Sequence, residues 1–226
     1  MRTRATILIS IALAMSVAAP VAAGGSQTFH FSEKGQGADA YWTTYPIDGI
    51  AVTNVVYRDT FVGASSSIVK ADGTTFSNGG LFVDSFTYKF DRRGNFVPIS
   101  ETFGFVDGAS VIVDSKLANA SVAGSGPADY CAYDANWNAT CSSTTFSFSG
   151  TWTGQGPLYR THGTGSFGVS GTYQVTYHGT GSWRAATAAA SLTIGSGTVS
   201  VGQNQFADLF ASRNGENDVI ICHNGC

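Results

Sequence analysis

Short runs of alternating apolar and polar residues recur along the chain, and Gly-bearing turns separate them. This pattern constrains the fold more than any other feature. Tyr57 and Phe61 fall on one face of such a run with Val55, and Asp59 lies between them. Phe82, Phe86, Tyr88 and Phe90 share a face of a second run. Val111 and Val113 alternate with Ile112 and Asp114, a strand open to cover on both sides. Phe146, Phe148 and Trp152 line a fourth, and Tyr173, Val175 and Tyr177 a fifth. Period two is the signature of pleated strands, whose side chains point alternately to opposite faces. Helix surfaces have little to be built from, because Glu occurs three times and Lys four times among 226 residues.

Turn chemistry falls between the runs at Asp72-Gly73, Asn78-Gly79-Gly80, Arg93-Gly94-Asn95, Asp107-Gly108, Ser170-Gly171 and Gly195-Ser196-Gly197. Many short strands with regular turns and no helices predict an all-β fold. The expected architecture is an antiparallel β-sandwich, immunoglobulin-like or jelly-roll-like, with a closed β-barrel as the alternative. Residues 118–130 are small and turn-prone and read as a crossing loop within one domain.

The first 23 residues read as an export signal. Arg2 and Arg4 give the positive start, Ile7 to Val17 the apolar stretch, and Val21-Ala22-Ala23 the small residues at a cleavage point. Residues 24–226 are then expected to form a single secreted, extracellular domain without a membrane-spanning helix. The formal net charge is −3, and losing the two leader arginines makes it more negative. Neither this balance nor any basic run suits nucleic acid or an anionic bilayer.

Cys131, Cys141, Cys222 and Cys226 all follow the leader. An even count in an exported chain predicts disulfides. Proximity favours Cys131–Cys141 with Cys222–Cys226, and cross-pairing of the terminus to the middle loop stays open. Export argues against a thiolate zinc site built from these cysteines and His223, so no metal is expected.

No assembled catalytic signature is present. Gly163 to Gly168 misses the nucleophile-elbow spacing by one residue, although His162 and His178 stand nearby. Asp59, Asp84 and Asp114 each interrupt an apolar strand, and with Glu101 they are the candidate carboxyls for a glycosidase pair. Asp134-Ala135-Asn136-Trp137-Asn138 begins like a calcium loop. Ala139 stands where its turn glycine belongs, and Thr145 where its bidentate acid belongs, so a polar turn without an ion is the expectation. Trp137 sits among polar residues between two cysteines, away from any core periodicity. With Asn136 and Asn138 it forms the first candidate ligand-binding group, and Tyr41 and Trp42 form a second. The segment Thr161 to Phe167 is echoed at Tyr177 to Trp183, which reads as two similar Gly-rich strands admitting a neighbour's ring.

The leading expectation is a secreted, non-catalytic binding protein without cofactors, its partner a glycan or a cell-surface protein. The alternative is a secreted carbohydrate-active or other hydrolase using strand carboxylates. An outer-membrane barrel is disfavoured by the short runs, dense turns and cysteines.

At Thr151-Trp152-Thr153-Gly154-Gln155-Gly156-Pro157-Leu158-Tyr159-Arg160 the chain resembles a group of small exported bacterial β-rich proteins of unassigned function. They share a Trp-Thr-Gly-x-Gly-Pro-Leu-Tyr-Arg segment. Ala40-Tyr41-Trp42 near the start and the closing Gly225-Cys226 are similar too. The resemblance implies export and a β fold. The residues themselves read as Trp152 continuing a strand, Gly-x-Gly-Pro making a turn, and Tyr159-Arg160 beginning the next strand.

Overall fold

The structure is a computed structural model that describes residues 27–43, 55–170, 172–199 and 203–221. The leader, Tyr45, Cys222 and Cys226 lie outside the described residues. Eleven strands are present among them: β1 (Gln27–Thr43), β2 (Val56–Ala71), β3 (Thr74–Phe90), β4 (Phe96–Asp107), β5 (Ser110–Val113), β6 (Asn119–Tyr133), β7 (Ala139–Gly154), β8 (Tyr159–Val169), β9 (Tyr173–Ile194), β10 (Gly197–Val199) and β11 (Gln203–Ile221). All join one antiparallel sheet. No helix among the described residues is long and apolar enough to cross a membrane. The all-β, antiparallel expectation is met.

The ladders run β9–β11–β1–β2–β3–β4–β6–β7 and return to β9, so the sheet contains a ring of strands. β5 adds to β6, β8 to the first half of β9, and β10 to its end. Alternation then assigns one face of each ring strand to the interior. Trp42, Ala40 and Ala38 of β1, Val62 of β2 and Leu81 and Val83 of β3 point there. So do Val122 of β6, Phe146, Phe148 and Trp152 of β7, Leu192 of β9 and Leu209 of β11, all buried in one cluster. Large and small residues oppose each other across it. Trp152 stands between Ala120 of β6 and Ala188 of β9, and Phe148 between Gly124 and Leu192.

Three sequence expectations are corrected. Residues 119–130 are strand β6 rather than a crossing loop. Its small residues are interior positions: Gly126 pairs with Phe146 and Gly124 with Phe148 in the ladder, and Val106 fills the space beside both glycines, with Leu81 also against Gly124. Pro127 is tolerated because β4 pairs only with residues 128–132 of β6 and β5 only with 120–123, so the residues between have one ladder partner, β7. Asn78-Gly79-Gly80 lies inside β3, opposite Ser65 to Ser67, and makes no turn. Ile112 is exposed at 64%, so β5 is covered on one side only, by Val111 and Val113.

The Gly-rich echo folds back on itself. In the β8–β9 ladder Gly163 faces Gly179, His162 faces Thr180, and Thr164 faces His178, so the two copies meet about a local twofold. A methyl group on Gly165 would come within 2.6 Å of the Tyr177 hydroxyl, which accounts for a glycine there. The strand–turn–strand reading of Thr151 to Arg160 is observed as well. Trp152 lies near the end of β7, Gly156 takes φ +64 in the turn, and Tyr159 opens β8.

Candidate functional site

Two hairpin turns at one end of the ring have the same construction. In the β3–β4 turn, Asp91 Oδ1 accepts from the N–H groups of Arg93 (2.7 Å) and Asn95 (2.9 Å), and Oδ2 accepts from Asn95 Nδ2 (2.9 Å). In the β6–β7 turn, Asp134 Oδ1 accepts from the N–H groups of Asn136 (2.8 Å) and Asn138 (2.9 Å), and Oδ2 accepts from Asn138 Nδ2 (2.8 Å). These donors hold both aspartates below the usual carboxylate range, the Asn95 and Asn138 side chains first. Asp134 is thus engaged by N–H donors of its own turn, and the Asp-x-Asn-x-Asn spacing is that of an Asx-type hairpin turn.

The fourth residue of each turn is left-handed. Gly94 fills that place in the first turn at φ +80, and Trp137 fills it in the second at φ +66. Glycine takes this conformation without a Cβ clash, whereas a bulky side chain is an outlier there. Trp137 is 56% exposed, and its ring stacks on Phe96 (centroids 5.6 Å apart, planes at 26°), the residue that opens β4. Tyr133 meets the indole edge-on at 6.4 Å. The Cys131–Cys141 disulfide closes the base of this hairpin, at a directly paired position of β6 and β7. Of the expected pairings, Cys131–Cys141 is therefore observed.

The turn adjoins the ring's outer face, which carries aromatics interleaved with carboxylates. One row across the strands reads Tyr41, Phe61, Asp84, Phe103, Asp129, and the neighbouring row reads Asp59, Phe86, Glu101. Phe82 packs on Phe61 (5.9 Å) and Phe103 (5.0 Å), and Phe86, Tyr88 and Phe96 stack beside them. Among these acids Glu101 accepts the Tyr133 hydroxyl at 2.6 Å, which pushes that phenol's pKa up. Oδ1 of Asp59 and Oδ1 of Asp84 are buried without a hydrogen-bond partner. Burial, and then the charge of Glu101, raise the Asp84 pKa to about 6.

This shift makes a signed prediction. Between roughly pH 4 and 6 the folded chain holds a proton on Asp84 that the unfolded chain releases. That contribution is complete below the unfolded pKa and is lost as pH rises through about 6. Asp84→Asn is expected to stabilise the protein at pH 7 by about 1–2 kcal/mol, after discounting for solvent screening. It should also remove the decline between pH 4 and 6. Urea midpoints across that range test it, and an unchanged slope would refute it.

The other expected site residues are scattered. Asn136 and Asn138 belong to the Trp137 turn. Tyr41 lies on the outer face, stacked on Phe206 at 5.4 Å. Trp42 is 1% exposed inside the ring against Phe148, so it belongs to the core and is out of a ligand's reach. Asp114 is half-exposed in the turn after β5, where the N–H groups of Lys116, Ala118 and Asn119 bind its carboxylate and lower its pKa. His162 and His178 sit on the β8–β9 extension, away from β2, β3 and β4. The carboxyls that do gather are Asp59, Asp84 and Glu101. Phe96 and Tyr133, which complete the aromatic platform, carry no sequence signal beyond alternation, because their partner is 41 residues away in the one case and set by a turn in the other. Among the described residues no group of three or more His, Cys, Asp or Glu is arranged to hold a metal ion.

The chain matches no protein-family model, no curated protein and no solved structure.

Proposed function

We propose that this is a secreted, non-catalytic binding protein that takes a glycan on the Trp137–Phe96 platform. The supporting observation is the indole in a left-handed backbone position that the sister turn gives to glycine. Such strain costs on the order of 1–3 kcal/mol and recurs where a side chain is held for contact. A stacked pair of rings offers a flat apolar surface to a sugar ring. The amides of Asn136 and Asn138 belong to the same turn, and Glu101, bonded to the Tyr133 that flanks the indole, offers a carboxylate to sugar hydroxyls.

Trp137→Gly separates binding from folding. It should leave stability unchanged or raise it by up to about 1 kcal/mol, since the left-handed position favours glycine. It should also weaken glycan capture at least about tenfold, as loss of a stacked aromatic anchor does. Screening wild type and variant on a glycan array, with urea unfolding in parallel, checks both parts. A variant that captures the same glycans as strongly removes the platform, and capture only of cell-surface proteins would replace the glycan by a protein partner.

A second reading, hydrolysis by strand carboxylates, draws support from Asp84, whose raised pKa sets it beside Glu101 as an acid next to a base. The two lie on diagonal cross-strand positions, for which Cα separations of roughly 7–8 Å are usual. Polysaccharide hydrolysis that falls at least about a hundredfold in Asp84→Asn and in Glu101→Gln would establish it. Absence of turnover by the wild type would end it.

A further inference from the structure

The β8–β9 ladder pairs a sequence with its own echo. Thr161 to Phe167 of β8 runs antiparallel to Tyr177 to Trp183 of β9, and Gly163 and Gly179, the same place in each copy, stand opposite each other. The register is therefore self-complementary. Small residues meet small ones around the centre, and four positions out Tyr159 meets Trp183 in a stack with centroids 4.4 Å apart.

β8 itself is half paired. Among the described residues it bonds only to β9. β11 takes the opposite edge of β9 over the same residues, and β1 and β2 follow β11 in the sheet. The strands from which residues 44–54 and 222–226 continue thus lie across β9 from β8. The outer edge of β8 presents backbone N–H and C=O groups along 11 residues, with no proline, lysine or bulge, and Arg160 as its only fixed charge. Proline, lysine and bulges are the devices that keep strand edges from pairing. The edge strands β5 and β10, by contrast, are only 4 and 3 residues long. Both faces of β8 are open as well, and Tyr159, Phe167 and Val169 are 47%, 36% and 53% exposed. A strand with one ladder and no buried face is weakly held, and a second ladder would hold it.

We infer that β8 is an association edge for a second copy of this chain, paired β8 to β8 antiparallel about a twofold axis at Gly163. The register that β8 adopts on β9 carries over. Gly163 meets Gly163 of the second copy, His162 meets Thr164, and Arg160 meets Ser166, so no like charges oppose each other. Tyr159 falls opposite Phe167 of the second copy, twice by symmetry. That repeats the pairing of Tyr159 with Trp183 and covers rings that are otherwise in water. The interface is isologous and closes at two copies. The Trp137 turn lies at the far end of β7 from β8 and stays free on each copy, so the inference does not depend on what that turn binds.

Sedimentation equilibrium of the full mature chain tests the inference. One strand edge is a small interface, so a monomer–dimer equilibrium with a dissociation constant of roughly 1–100 µM is expected. Gly163→Lys should weaken it at least about tenfold, because two ammonium groups then meet at the axis. Within one chain a side chain at Gly163 meets nothing within 4 Å, so this variant should keep its fold, which circular dichroism checks. Gly163→Cys should give a covalent dimer on oxidation, since its two thiols face each other across the axis, and Ser166→Cys, off the axis, should not. The cysteine pair decides the matter if Gly163→Lys fails to fold. Four results would overturn the inference: a monomer at about 200 µM, an undiminished dimer in folded Gly163→Lys, equal cross-linking of the two cysteine variants, or an open assembly that grows with concentration. The last is what pairing β8 with the free edge of β3 from Thr74 to Asn78 would build.

Discussion

Trp152→Ala is expected to destabilise the protein by about 3–5 kcal/mol, the usual cost of truncating a buried tryptophan. Only 1% of the residue is exposed. Its ring packs on Phe148 at 6.2 Å, and small residues, Ala120 and Ala188, leave room for it on both neighbouring strands. Truncation therefore opens a cavity that alanines cannot close. The indole Nε1 also donates to the Asp39 carbonyl at 2.8 Å, a bond between β7 and β1 across the ring's interior. Losing the donor leaves that carbonyl without the indole, which adds a penalty of about 1–3 kcal/mol if water cannot reach it. Trp152→Phe keeps most of the packing and removes only the bond, so it should cost about 1–2 kcal/mol. Urea unfolding by tryptophan fluorescence and circular dichroism gives both values. A loss below about 1 kcal/mol for Trp152→Ala would mean that the residue does not brace the ring.

The second large effect belongs to Phe146 and the glycine beneath it. Phe146 is 2% exposed, and a methyl group on Gly104 of β4 would come within 2.5 Å of its ring. Phe146→Ala should cost about 3–5 kcal/mol. Gly104→Ala should cost about 1–3 kcal/mol by overpacking, because a ring held on every side cannot step away. Together the two changes should cost less than their sum by about 1–3 kcal/mol, because the added methyl enters space that the ring has left. Additive values in the double-mutant cycle would show that ring and glycine do not share this space.

Much of the strand content was legible in the sequence, and the reasons are local. Period-two runs such as Phe82 to Phe90 need one buried and one outer face, and Asp72-Gly73 or Arg93-Gly94-Asn95 supply turns where the backbone must turn left-handed. The Cys131–Cys141 pairing followed from proximity. Residues 118–130 misled because glycine, proline and serine mark loops when read alone, whereas in β6 the missing side chains of Gly124 and Gly126 are room for Val106 of β4. That complement is written in two strands at once, and neither shows it singly. The candidate site divides in the same way. Trp137 stood out as an indole in a polar, cross-linked segment, but Phe96 beneath it comes from another hairpin. Trp42 looked like a partner of Tyr41, yet adjacent strand residues point to opposite faces, and the ring took Trp42 inside.

By itself the sequence determined the local terms: alternation, turn chemistry, a scarcity of helix formers, and cysteines close enough to pair. Those are interactions between residues a few positions apart, and they act before the chain has any global shape. Only the tertiary structure decided that β7 returns to β9 and makes a ring. The same closure decides which face of every strand is interior, and therefore that Trp42 is buried while Asp59, Asp84 and Glu101 face outward. Ring closure depends on contacts between strands far apart in the chain, so no window of sequence contains it.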